Sequence, residues 1–237
     1  MAKIDFDEAA TWAARAVVEH PRNLAQALAE HFGVGRTAAS TVIAKLVEDG
    51  YLLRSGAANS PLFAAGKRRL LVDGYSLPGV DAKVLWEQGF APFLDLSDEV
   101  AAVARNGFIS IVHNANRHAK ASGLYVVVEQ TPRFLEMTLS DNGVGIFKKI
   151  AQKIKTKELA LAAGVLSEGR AASAVKRRAT SDVCSLASAF DEFSVEANGL
   201  RFPAPKAKKR ASAEDEMPEL GTSVFMKLAL KKKSPKK

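Results

Sequence analysis

Two polar side chains lie at the ends of apolar strands, where folding would bring them to one edge of a core. Asp141 ends the strand FLEMTLSD, in which Leu135, Met137 and Leu139 alternate with polar residues. Thr222 lies at the start of the last strand, GTSVFMKLAL, on the side of that strand's apolar row. A carboxylate beside a buried row is costly unless something donates a hydrogen bond to it, so Asp141 needs a donor.

A helix predicted at about 98–121 should form the other wall of this pocket. It has an apolar stripe for the core and a second face that carries Gly107, Ser110, Asn114 and His118. Directly after Asp141, Gly143 and Gly145 allow a tight turn and the close approach of another group. These groups could converge on one pocket between the sheet and the helices.

A second candidate surface lies near the N-terminus. The apolar periodicity predicts three short helices and then a β-hairpin within residues 1–66. The third helix, RTAASTVIAKLVED, has an apolar stripe on one side and small polar or basic residues on the other. The outward residues are Arg36, Thr37, Ser40, Thr41 and Lys45, and Arg54 lies on the hairpin. Hydroxyl groups and cations of this kind can reach the bases and phosphates of DNA.

Composition and charge narrow the possible classes of protein. The chain has 237 residues and a formal net charge of +8, and most of the excess positive charge falls in residues 201–237. The single cysteine, Cys184, rules out a disulfide within the chain and a metal site with several cysteines. No apolar run is long enough for a membrane-spanning helix, and no secretory signal is evident. We therefore expect a cytoplasmic protein without a membrane partner.

The chain divides into parts of different composition, and we expect an α+β fold. Residues 1–66 hold the three helices and the hairpin, residues 67–97 are predicted to be a connector, and residues 98–230 alternate helices with strands. Within the last part, residues 206–219 have almost no large apolar side chain and are predicted to be a mobile loop. Residues 231–237 form a basic tail.

The sequence LAQALAEHFGVGRTAASTVIAKLVEDGYLLR resembles winged helix-turn-helix DNA-binding domains. This resemblance implies double-stranded DNA as a partner, with contacts from the residues of the third helix and from Arg54. Because DNA sites for such domains are usually symmetric, it also implies a homodimer. A winged helix can serve protein contacts alone, and the nearly balanced charge of residues 1–80 favours that alternative.

Three stretches in residues 98–230 resemble the nucleotide-binding boxes of the GHKL superfamily, which includes sensor histidine kinases and anti-sigma-factor kinases. They are NANRHA, DNGVGIF and GTSVFMKL, and DNGVGIFKKI with AFDEFSV is also similar to bacterial proteins that join a winged helix to such a domain. The resemblance implies a two-layer α/β sandwich with a mixed, mostly antiparallel sheet that binds ATP or ADP with Mg²⁺. Asn114 would act through Mg²⁺, and Asp141 and Thr222 would contact adenine. The implied nucleotide-binding residues are Asn114, His118, Asp141, Gly143, Gly145 and Thr222.

The chain departs from the superfamily pattern at two places. Ser110 takes the position of the glutamate that hydrolysing members use as a general base, and a hydroxyl cannot do that work at neutral pH. The stretch at about 165–190, where the lid over the phosphates should lie, has Gly169 as its only glycine. Its basic run Lys176, Arg177 and Arg178 could still meet phosphates. We therefore expect no catalytic residue and no efficient hydrolysis.

Together these features predict a DNA-binding transcriptional regulator. Its GHKL-like domain would bind a ligand, with adenine nucleotide as the first choice, or a protein partner. One alternative is an active ATPase or a serine protein kinase of the anti-sigma type. Another is a non-catalytic protein-binding scaffold, in which the domain kept its fold and lost the nucleotide.

Overall fold

The computed structural model of the chain describes residues 4–168, 186–203 and 220–230. Its first part holds three helices followed by a two-stranded antiparallel hairpin, which is the order that the periodicity predicts. The helices are α1 (Phe6–Glu19), α2 (Leu24–Phe32) and α3 (Arg36–Glu48), and the strands are β1 (Leu52–Ala57) and β2 (Ser60–Ala65). The carboxylate of Asp5 caps α1 by accepting the backbone N–H groups of Asp7 and Glu8.

The second part is built on a six-stranded sheet with the order β3-β4-β5-β8-β6-β7. The described strands pair only in the antiparallel sense, whereas the resemblance implies a mixed sheet. The strands are β3 (Arg69–Ser76), β4 (Gly123–Gln130), β5 (Phe134–Asp141), β6 (Glu192–Ala197), β7 (Leu200–Phe202) and β8 (Thr222–Ala229). Helices and antiparallel sheets together make the fold α+β.

Helices cover one face of this sheet and enclose the main core. They are α4 (Ala82–Val84), α5 (Asp98–His118), α6 (Ile146–Lys153) and α7 (Leu159–Glu168). The apolar rows predicted on β5 and β8 are buried, and Phe108 of α5 lies in the same cluster. Trp86 and Phe90, which follow α4, pack on Phe108 with ring centroids 5.2 and 5.1 Å apart. The alternation of these strands therefore fixes which sheet face meets α5.

Helix α1 covers the free edge of strand β3. The Thr11 hydroxyl accepts a hydrogen bond from the backbone N–H of Val72 at 3.2 Å, and Thr11 is only 7% exposed. An uncovered edge strand leaves a row of N–H and C=O groups unpaired. This contact thus satisfies one N–H group of the sheet edge and attaches the three-helix part to it.

Charged side chains reinforce the contact between the two parts. Arg15 of α1 pairs with Asp73 of β3, and Arg68 donates to the carboxylate of Glu129 on β4 at 2.9 Å. The Arg68 guanidinium also lies over the ring of Tyr51, 4.8 Å from its centroid. A cation held by a carboxylate and an aromatic face has a defined position, so these contacts favour one arrangement of the two parts.

The segment 67–97, predicted to be a connector, instead contributes strand β3 to the large sheet. Leu70 packs with the N-terminal helices, and its neighbour Leu71 is fully buried in the core under α5. Because both faces of β3 are covered at this point, the strand lacks the alternation of apolar and polar residues that marks a half-exposed strand. The prediction of a connector failed for that reason.

Several predicted features fall outside the described residues. They are the loop 206–219, the tail 231–237, Cys184, and the lid residues Gly169, Lys176, Arg177 and Arg178. Across the part of the chain that is described, no helix is both long and apolar enough to cross a membrane.

We predict that Thr11→Val will destabilise the protein by about 1–3 kcal/mol, because it leaves the Val72 N–H without an acceptor while nearly conserving volume. Chemical denaturation of the two proteins measures the change. The matched control is Thr41→Val on the exposed face of α3, which should change stability by no more than about 0.5 kcal/mol. Equal effects of the two substitutions would show that the sheet edge does not depend on Thr11.

Candidate functional site

The register of β5 and β8 brings the two polar strand ends together. Asp141 and Thr222 are directly paired, and each continues the apolar row of its own strand. The backbone N–H of Gly143 donates to Asp141 Oδ1 at 2.8 Å, and Thr222 Oγ1 accepts the backbone N–H of Ile146 at 3.1 Å. The loop between β5 and α6 is therefore held at both ends by these two side chains.

The same loop packs closely against the end of α5. The backbone N–H of Val144 donates to the carbonyl oxygen of Ala119 at 2.8 Å. A Cβ atom added to Gly143 would lie 2.2 Å from that same oxygen, which no side chain tolerates without a backbone shift. Gly143 is thus required by packing between the loop and α5, which is a close approach of another group as the sequence predicts. A contact of Gly143 with a nucleotide stays a prediction.

Asn198, which the sequence analysis missed, clamps the far side of the loop. Its amide Nδ2 donates to the carbonyl of Val144 at 3.0 Å, and its Oδ1 accepts the backbone N–H of Lys148 at 3.2 Å. Gly145 has φ +86°, and a Cβ there would lie 2.3 Å from Asn198 Oδ1. The available signal was the Asn198-Gly199 pair between two strands, which is typical of a tight hairpin turn.

Burial raises the pKa of the Asp141 carboxyl above its ordinary value of 3.8. The hydrogen bonds from the Gly143 N–H and from Thr222 act in the opposite direction and do not fully offset the loss of solvent. Asp141 remains partly open to solvent, so one carboxylate oxygen can accept a hydrogen bond from an amino or amide group of a ligand.

The four residues of the predicted polar face of α5 lie in different environments. Gly107 is buried because the Phe190 ring and the sulfur of Met226 pack on it. Ser110 and Asn114 are half-buried, while His118 is exposed in the last turn. In the described ranges no hydrogen bond joins the Asn114 side chain to Asp141. Asn114 and the loop after Asp141 are connected through backbone groups at the end of α5. The Ala119 carbonyl accepts from the Val144 N–H of the loop, and the Ala119 N–H donates to the Asn114 carbonyl at 3.2 Å.

Metal ligation by protein groups alone is not evident in this part of the chain. Among the residues the structure describes, no group of three or more His, Cys, Asp or Glu side chains could hold an ion. Asn114 supplies one amide oxygen, which is a suitable ligand for Mg²⁺ only when phosphate oxygens complete the shell.

The outward face of α3 forms the second candidate site. Arg36, Thr37, Ser40, Thr41 and Lys45 are all exposed, while the opposite stripe of Ala39, Ile43 and Leu46 is buried. The Lys45 ammonium lies over the ring of Phe6 on α1, 4.9 Å from its centroid, so it is directed along the surface toward α1. Arg54 is exposed on the hairpin and donates to the carbonyl of Ala58 in the hairpin turn at 3.3 Å.

No protein-family model matches the chain, and no curated protein matches it. The resemblances to winged helices and to GHKL domains therefore stay predictions drawn from the motifs.

We predict that Asp141→Asn will be at least as stable as the wild type at about pH 7 and will have a higher melting temperature. Because the folded-state pKa of Asp141 is raised, ionisation of its carboxyl destabilises the native state. The wild type should lose stability relative to the variant as the pH rises from 3.8 through the raised pKa. Below pH 3.8 the free energies of unfolding of the two proteins should become similar. Thermal melts over this pH range measure the difference.

The control is Asp81→Asn, which should show the opposite dependence. Hydrogen bonds from the backbone N–H groups of Val84 and Lys83 lower the pKa of Asp81. The ionised carboxylate therefore stabilises the folded state above pH 3.8. If Asp141→Asn lowered stability at every pH, the burial described for that carboxylate would be incorrect.

Proposed function

We propose that the protein is a DNA-binding transcriptional regulator whose second part binds adenine nucleotide as an effector. The support for DNA binding is the order of α1, α2, α3 and hairpin, together with the exposed face of α3. That face has small polar residues around Arg36, so it can approach base edges without steric conflict. The neighbouring hairpin places Arg54 where it would meet the phosphate backbone.

The observation that carries the nucleotide proposal is the meeting of three separate motifs around one loop. Asp141 and Thr222 are paired across two strands, and the loop that follows Asp141 packs on the end of α5 just after Asn114. A half-buried carboxylate supported by a hydroxyl matches the hydrogen-bonding needs of an adenine amino group. Asn114 would hold Mg²⁺ together with the phosphates, and Mg²⁺ would supply charge neutralisation there.

The nucleotide would act as an effector that is bound without being consumed. Ser110 is half-buried on α5 where a general base would be needed, and its neutral hydroxyl cannot activate water at pH 7. A ligand that is bound but not hydrolysed changes the protein only through its different affinity for two arrangements. An active ATPase or kinase would instead need another base.

The contacts between the two parts give such an effector a physical route to DNA. Strand β3 and its neighbour β4 belong to the sheet of the ligand-binding part, and Thr11, Arg15 and Arg68 attach the N-terminal helices to them. A shift of the sheet edge on ligand binding would therefore alter the orientation of α3. Nucleotide affinity and DNA affinity would be linked, each changing the other by the same factor.

We predict that Arg36→Ala will weaken binding to the specific DNA site by about 1–3 kcal/mol, because it removes a base or phosphate contact. Selection of bound sequences from a random double-stranded library provides the site, and fluorescence anisotropy measures the affinity. MgATP should change the wild-type affinity and leave the affinity of Asp141→Asn unchanged.

The matched control is Arg133→Ala, which removes the same charge from an exposed turn between β4 and β5. A loss of affinity equal to that of Arg36→Ala would mean that α3 is not the reading helix. Failure of the library to yield any bound sequence would favour the protein-binding scaffold. ATP turnover abolished by Asp141→Asn would favour the enzyme.

A further inference from the structure

Helix α6 and the turn after it carry an unusual concentration of positive charge. Five lysines fall within ten residues, and Glu158 is the only carboxylate between residues 146 and 160. Four of the lysines are exposed and Lys149 is half-exposed. In the described part of the chain none of the five forms an ion pair. We refer to Lys148, Lys149, Lys153, Lys155 and Lys157 as the lysine cluster.

Two of these lysines oppose the electrostatics of their own helix. Lys148 and Lys149 lie in the first turn of α6, which contains no acidic residue, although the positive end of the helix dipole favours acidic side chains there. Lys149 and Lys153 are four residues apart, a spacing at which like charges destabilise a helix. The cluster therefore does not serve the stability of α6.

Lys155 occupies a backbone position that suits glycine. Its φ is +57°, and it follows the last turn of α6. The N–H of Lys155 donates to the carbonyl of Gln152, and the N–H of Thr156 donates to that of Ala151. This pair of bonds is the helix-ending motif in which glycine is preferred because it has no Cβ. Local rules broken together at one surface are typical of a functional site.

We propose that the lysine cluster is a second DNA-binding surface that contacts phosphates without reading sequence. The proposal rests on the proposed function, because it assigns the same partner to another face of the molecule. Eight residues of helix span about 12 Å, which matches about three successive phosphates along one DNA strand. Residues 1–80 are nearly balanced in charge, so the cluster would supply electrostatic affinity that the N-terminal part lacks.

A membrane surface is a less suitable partner for this helix. A helix that lies in a bilayer interface inserts its apolar face among the lipids. The apolar face of α6 is already buried in the protein, with Phe147 0%, Ile150 2% and Ala151 4% exposed. Only the charged side of α6 faces solvent, where it can bind a polyanion such as DNA without insertion into lipid.

The position of the cluster places it next to the candidate ligand site. Thr222 accepts the N–H of Ile146 at the first residue of α6, and Asn198 accepts the N–H of Lys148. The side chains of Thr222 and Asn198, which hold the loop after Asp141, therefore also hold the start of the lysine cluster.

The test compares the wild type with the triple variant Lys148→Gln, Lys149→Gln and Lys153→Gln. Binding to a double-stranded oligonucleotide of arbitrary sequence is measured over a range of salt concentrations. We expect the variant to bind at least about tenfold more weakly at low salt, and the slope of log K against log salt to fall by about two to three. Glutamine preserves helix propensity and removes repulsion, so the variant should melt no lower than the wild type.

Lys155→Gly provides a test in which stability and binding change in opposite senses. It should raise the melting temperature by about 2 °C because glycine adopts this φ freely, and it should still weaken DNA binding. The matched control is Lys120→Gly, which removes the same charge at an exposed residue with φ +52° outside the cluster. It should raise stability in the same way and affect DNA binding less.

Three outcomes would overturn the proposal. The first is an unchanged affinity and salt slope in the triple variant. The second is binding of the wild type, and not the triple variant, to phosphatidylserine vesicles while DNA binding is equal in both. The third is loss of MgATP binding in the triple variant with DNA binding intact. If Arg36→Ala weakens DNA binding and the triple variant does not, the lysine cluster is not a DNA-binding surface and the role proposed for α3 is unaffected. The reverse result would mean that the lysine cluster binds DNA and α3 does not.

Discussion

The pairing of Asp141 with Thr222 across β5 and β8 is the constraint on which the candidate ligand site depends. The strand register puts both residues at the end of a buried row, so the carboxylate is desolvated and needs donors. The Gly143 N–H and Thr222 meet that need, and the Thr222 oxygen in turn accepts from Ile146. One register therefore fixes a carboxylate, a loop and the start of a helix together.

Two features of the candidate sites, the Asp141 carboxylate and the lysine cluster, lower the stability of the folded protein. A half-buried carboxylate with a raised pKa destabilises the folded protein when it is ionised, and the lysine cluster on α6 adds unfavourable local electrostatics. Both are the kind of cost that a protein retains where a ligand or a partner supplies the missing hydrogen bonds or charges.

The two parts of the chain are joined along an edge strand. Strand β3 is covered on both faces at Leu70 and Leu71, and the Thr11 hydroxyl of α1 accepts one N–H of its free edge. Antiparallel sheets with an open edge expose a pairing site, and here that edge instead anchors the N-terminal helices. The same contact both protects the sheet and ties the orientation of α3 to it.

Most elements with regular periodicity could be predicted from the sequence. The stripe of Ala39, Ile43 and Leu46 predicted which face of α3 is buried, and the alternation of β5 predicted that Asp141 lies beside the core. Strand β3 was missed because Leu70 and Leu71 face opposite buried sides. The Asn198 clamp was missed because it depends on a contact between loops far apart in sequence, which no local pattern reports. The role of Gly143 also depends on tertiary packing against Ala119.

The measurement that tests the central claim most directly is calorimetric titration of MgATP into the wild type and into Asp141→Asn. We expect saturable binding to the wild type and an affinity at least about tenfold weaker for the variant, because the neutral amide is a poorer acceptor for the adenine amino group. Equal affinities, or no binding to a folded wild-type protein, would contradict this expectation.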